Sequence, residues 1–204
     1  MKMLRKNVRS TCLQVNRTDA PEPTLPPPRS PRSKVHDVGV FCVDTADLKN
    51  LAAMDLTGRF PVTSARGHKY IFIMYDFDSN YINAVPIVSR KSHVLVEAFK
   101  TCYEELKSKH LTARLLRLDN KISKDLIAAI EAENLEYQLV SPGNHCLNHT
   151  ERAIQTFKNH FIPILSGADP EFPKIYWDLL LLQTVITLNM AQPSRINPAI
   201  SAYT

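Results

Sequence analysis

A short apolar run that ends in a carboxylate, Leu115 to Asn120 (LLRLDN), is followed one helix-like and one strand-like segment later by Asn148 to Phe157 (NHTERAIQTF). That second stretch is amphipathic and opens on another acid, Glu151. A strand end and a helix start can bring two such acids to one edge of a sheet. A third acid stands upstream, Asp55 in MDLTGRF. Three carboxylates delivered from separate elements are hard oxygen donors of the kind a pair of divalent cations takes when it handles phosphodiester oxygens. The pattern around them decides what layers the chain builds.

That pattern is sharpest from Leu51 onward. Leu51 to Leu56 reads as a strand running into a Thr57-Gly58 turn, and Lys69 to Phe77 (KYIFIMYDF) is a β-branched and aromatic run of strand length. Tyr81 to Val88 follows after an Asp-Ser-Asn turn, which predicts a hairpin and three antiparallel strands in succession. Ser92 is placed to cap a helix in which Val94, Leu95, Ala98, Phe99, Cys102 and Leu106 recur at helical spacing. Ala113 to Leu118 is the next strand, Ser123 opens a second helix, and Glu136 to Val140 is a last short strand. Helices then take over, from His149 to about Leu165 and from Pro173 to Met190. The order βββαβαβαα predicts a mixed sheet with helices against it, an α/β layered fold. In such folds sites gather at the C-terminal ends of strands, which is where Asp119 falls.

Composition narrows the partners. With 204 residues and 44% apolar content there is material for one domain with a real core and a tail. The net charge of +5 resembles a nucleic-acid signal until it is located: residues 1–36 hold eight lysines and arginines against Asp19 and Glu22, a local +6, which leaves about −1 for the remainder. That segment is also proline-rich (PEPTLPPPRSP), a composition that buries nothing and predicts a disordered tail. The folded domain is expected over 37–204. Cys12, Cys42, Cys102 and Cys146 form no CxxC, which favours reduced thiols inside a cell over a disulfide framework. Ile175 to Met190 is the most apolar run, yet at 16 residues, interrupted by Asp178 and Gln183, it is short of the ~20 that span a bilayer. It reads as a buried helix, and no membrane partner is expected.

Taken in order, Asp55 before Thr-Gly-Arg-Phe-Pro, Leu-Arg-Leu-Asp119-Asn120, Ser141-Pro142 and Asn148-x-x-Glu151-Arg152 resemble the catalytic core of retroelement integrases, most of all those of copia-type retrotransposons. The resemblance runs from about Leu51 to Thr204. It implies an RNase H-like fold, whose βββαβαβ order agrees with the segment reading above. It also implies a D,D,E triad at Asp55, Asp119 and Glu151 holding two Mg²⁺ (or Mn²⁺) ions, with Asp55 shared between them. The implied activity is DNA 3′-end processing and strand transfer, on element ends and a target duplex, in a homo-oligomer working in the nucleus. Glu151, Gln155 and Lys158 lie at i, i+4 and i+7 and so share a helix face. By resemblance Lys158 is the DNA-contacting lysine, with Gln155 and Arg152 beside it, and Gly143 to Leu147 corresponds to a loop that touches DNA.

Other features pull against full activity. The zinc-binding HHCC module of complete integrases has no counterpart upstream, and Lys121 puts a cation where relatives tend to carry Gly or an acid. His145, Cys146, His149 and His160 lack zinc-site spacing. Asp44, Asp47, Asp76 and Asp78 read as surface or turn acids. These departures fit a fragment of a mobile element. Two alternatives stand beside the integrase reading: an inactive remnant that binds DNA or oligomerises through the apolar helix, and an RNase H-like nuclease acting on hybrids.

Overall fold

The computed structural model describes residues 49–119, 122–140 and 149–203. The tail at 1–36, the strand expected at Val38 to Val43, most of the Thr45 to Asn50 turn, Asn120, Lys121, and the loop from Ser141 to Asn148 with His145 and Cys146 lie outside the described residues.

Five strands form one sheet: β1 (Leu51–Leu56), β2 (Tyr70–Asp76), β3 (Ile82–Ile87), β4 (Leu115–Asp119) and β5 (Glu136–Val140). Their spatial order is β3-β2-β1-β4-β5. The first three pair antiparallel, as the hairpin pattern predicts, while β4 joins the other edge of β1 in parallel and β5 pairs parallel to β4. Parallel neighbours need crossover helices, and these are α1 (Ser92–Ser108) and α2 (Lys124–Ala132). After β5 come α3 (His149–Ser166), a 3₁₀ segment (Lys174–Leu179) and α4 (Leu180–Ala191). Among the described residues no helix is long and apolar enough to cross a membrane.

β1 is central, and Leu51, Ala52, Ala53 and Met54 are all buried, the signature of a strand covered on both faces. The β2–β3 turn works through its acid: Asp76 is buried, and its Oδ2 accepts hydrogen bonds from Ser79 N (2.9 Å) and Ser79 Oγ (2.6 Å). Asn80 takes φ 65°, a left-handed conformation that Asn tolerates better than most residues. Asp76 is thus a turn former from the inside, and burial, the larger influence, raises its carboxyl above the ordinary range despite the Ser79 bonds.

Two helix boundaries depart from the sequence expectation. Ser92 is the first residue of α1 and does not cap it; its Oγ turns away to Asp125 Oδ2 (2.5 Å) and Ser123 Oγ (2.8 Å), tying the starts of α1 and α2 together. Ser123 does cap α2, accepting from Leu126 N. The single helix expected from Pro173 to Met190 is broken at Tyr176 (φ −100°, ψ 19°). Tertiary anchors explain the break. Trp177 Nε1 donates to Val62 O (2.9 Å), Ala65 N donates to Ile175 O (2.8 Å), and the buried Asp178 carboxylate meets Arg66 Nε (2.9 Å) and His68 Nδ1 (2.5 Å). These fixed points, all on the segment between β1 and β2, cost a regular helical turn. Nor is the helix buried all round, since Leu182 is 69% and Met190 59% exposed.

Candidate active site

The sheet's topology gathers the site. β1 and β4 run parallel with Ala53 opposite Arg117, and the same register continued by two residues sets Asp55 beside Asp119. Equal offsets keep both side chains on one face, and neighbouring strands lie about 4.8 Å apart. β3, antiparallel to β2, ends at the same sheet edge. A cleft of about 340 Å³ opens there, with Asp55 and Asp119 in its wall together with Arg90, Leu95, Ile122 and Leu126.

Asp55 is half-buried, and its Oδ1 accepts a hydrogen bond from Leu56 N (2.7 Å), which fixes the carboxylate's orientation. Its pKa is raised. Burial is the largest cause, and the negative charges of Asp119 and Glu151 add to it; the Leu56 N–H and the Arg90 guanidinium pull the other way without reversing the sign. Glu151, exposed in the first turn of α3, therefore lies within electrostatic reach of Asp55. Asp119 is exposed at the end of β4. On α3, Ala153, Ile154, Phe157 and Phe161 point into the core, whereas Arg152 and Gln155 are exposed and Lys158 is half-buried. Gln155 Nε2 donates to Asn159 Oδ1 (2.7 Å) along the same face.

Among the described residues no three His, Cys, Asp or Glu side chains stand close enough to form a ready metal cage. The donor set still suits Mg²⁺, which keeps several waters and takes substrate phosphate oxygens as well as one or two carboxylates. No His or Cys, the donors zinc favours, is among the described residues lining the cleft. The repulsion that adds to the effect of burial at Asp55 is the kind a bound dication relieves.

The sequence reading misses Arg90. It stands between β3 and α1, its guanidinium carbon 4.7 Å from the Tyr70 ring centre and its Nη2 donating to Thr57 O (3.4 Å). A base in a Ser-Arg-Lys-Ser turn looks like any solvated charge, and only the sheet topology puts it at the carboxylates.

The mixed five-stranded sheet and the helices on it match the RNase H-like fold of integrase catalytic cores. Solved structures with that architecture include the catalytic core domain of BIV integrase (14% identity, 76% of this chain and 91% of that one, TM-score 0.56). Another is the HTLV-2 integrase catalytic core domain in complex with magnesium (15% identity, 76% and 93%, TM-score 0.55). A third is the intasome of simian T-cell lymphotropic virus, where 76% of this chain covers 52% of the other (15% identity, TM-score 0.61). No protein-family model matches the chain, and no curated protein does.

Proposed function

We propose that this chain is the catalytic core of a copia-type retrotransposon integrase, a metal-dependent polynucleotidyl transferase that trims DNA 3′ ends and joins them to a target duplex. The observation that carries the reading is the meeting of Asp55 and Asp119 on adjacent parallel strand ends, with the charge of Glu151 felt at Asp55. The integrase cores of similar fold support it, one of them in complex with magnesium. Asp55, Asp119 and Glu151 would hold two Mg²⁺ or Mn²⁺ ions, with Asp55 shared. Bound there, such ions supply charge stabilisation to the attacking and leaving oxygens of an in-line phosphoryl transfer. The chain's own part is to hold the acids: the Leu56 N–H orients Asp55, the β1–β4 ladder sets Asp119, and the packing of Phe157 and Phe161 fixes the helix that carries Glu151. Lys158, Gln155 and Arg152, all on that helix, would serve as DNA contacts.

The test is strand nicking and joining at a linear DNA end with Mg²⁺ or Mn²⁺. Asp119→Asn should lower the rate about 10³-fold, since a metal ligand underwrites several kcal/mol of transition-state charge stabilisation. Equal rates for wild type and variant would end the catalytic reading.

A second reading, oligomerisation independent of catalysis, draws on one observation. Leu179 (54% exposed), Leu182 (69%) and Met190 (59%) follow one stripe at helical spacing on the 3₁₀ segment and α4, with half-buried Ile186 between. A second copy of the chain is the expected occupant, as the HTLV-2 core is described in dimeric and trimeric forms. Sedimentation velocity should show self-association that Leu182→Asp abolishes and Asp55→Asn leaves unchanged. Association insensitive to Leu182→Asp would place the contact elsewhere.

A further inference from the structure

We propose that Arg90 is the phosphate anchor of the cleft, its guanidinium taking the non-bridging oxygens of a DNA phosphate next to the one handled at Asp55 and Asp119. The inference rests on the polynucleotidyl transferase reading above and adds to it a residue that the three acids do not predict.

Position is the first argument. β1, β3 and β4 all end at one sheet edge, and Arg90 follows Ile87, the last residue of β3, by one short turn. It lines the same cleft as Asp55 and Asp119 and is the one cation among the described lining residues, the others being apolar or acidic. Its charge reaches Asp55.

Its partners are the second argument. Among the described residues no carboxylate forms an ion pair with Arg90; its guanidinium carbon lies over the Tyr70 ring, and its one hydrogen bond among them is the long one to Thr57 O. A cation–π contact with the ring helps hold the guanidinium in place while leaving most of its five donors for a ligand. A planar fork of donors matches the two free oxygens of a phosphodiester. α1 begins immediately after, at Ser92, and its N-terminus has no side-chain cap, so the helix dipole adds positive potential at the same place.

Charge balance is the third argument. Three carboxylates with two divalent ions leave the site net positive, so Arg90 is then drawn outward to substrate phosphate and not inward to Asp55. A cation that served only to neutralise the acids would be redundant in that state.

The experiment measures binding and not turnover. Fluorescence anisotropy of a labelled blunt duplex is followed for the full chain across a KCl series, at a fixed low Ca²⁺ concentration. Arg90→Gln should weaken binding about five- to tenfold and flatten the plot of log affinity against log salt by about 0.9, the share of one phosphate contact. Arg90→Lys should restore the slope but only part of the affinity, because lysine keeps the charge and loses the fork. Melting curves of both variants check that the Tyr70 contact is not what holds the domain together. Wild-type affinity and slope in Arg90→Gln would overturn the proposal, as would a wild-type chain that does not bind the duplex. The nicking assay with Asp119→Asn is separate: loss of the transferase reading there leaves the Arg90 result readable, and an unchanged Arg90→Gln leaves the transferase reading standing.

Discussion

Asp55→Asn is expected to move stability and metal response in opposite directions while lowering nicking by about 10³-fold, as removal of a shared ligand should. In EDTA at neutral pH the variant should melt above wild type. Mn²⁺ should raise the melting temperature of wild type and leave that of the variant where it was. The sign follows from the raised pKa of Asp55, caused first by burial and then by Asp119 and Glu151. A raised folded-state pKa means that the folded chain keeps this proton to higher pH than the unfolded chain does. The group's contribution is therefore fully present below the ordinary carboxylate value of 3.8, is lost as pH rises through the folded value, and stays lost above it. Wild type should lose more stability than Asp55→Asn across that window. Asp76 is raised too and slopes the same way, but it is common to both proteins and cancels in the comparison. A variant that melts no higher than wild type in EDTA, or that still responds to Mn²⁺, would remove Asp55 from the site.

Much of this was legible in the sequence, for reasons that differ by element. The runs that became β2 and β3 were plain because β-branched and aromatic residues stand between turn formers, and β1 (LAAMDL), an apolar run ahead of Thr57-Gly58, and β5 have the bounds their patterns suggest. Ser123 works as a cap because its oxygen can accept from Leu126 N while also accepting from Ser92 Oγ. Ser92 has the same local signal, but Asp125 and Ser123 stand within reach across the fold and take the hydroxyl instead. The break at Tyr176 is likewise tertiary: no local pattern reports that Val62, Ala65, Arg66 and His68 hold the segment from the other side. The three acids could be singled out by their motifs, whereas the placing of Asp55 beside Asp119 depends on β1 and β4 pairing in parallel, which is a property of the whole sheet. Arg90 shows the same limit, since its importance comes from where β3 ends and from nothing in its neighbours along the chain.

Trp177→Ala should cost about 3–5 kcal/mol, the range for removing a fully buried large aromatic. Trp177 has 0% exposure, its ring stacks on Phe60 (centroids 4.2 Å, 27°) and meets Phe161 edge-on (6.4 Å, 63°), and its Nε1 donates to Val62 O. At about 2–4 °C per kcal/mol for a domain of this size, the melting temperature should fall by roughly 10–15 °C. Trp177→Phe keeps most of the apolar contact and forfeits the hydrogen bond to Val62 O, so it should cost about half as much or less. The site is involved because of what this ring joins. Phe60 lies just beyond the β1 end that carries Asp55, and Phe161 is on α3, whose first turn carries Glu151, so Trp177 is the common neighbour of the two elements that the proposed function requires to hold their acids in register. Below the variant's melting transition nicking should fall far less than in Asp119→Asn, since Phe157 and Ile154 still dock α3 on the core. A melting temperature within a few degrees of wild type for Trp177→Ala would show that the Phe60–Trp177–Phe161 cluster is not what braces the two elements.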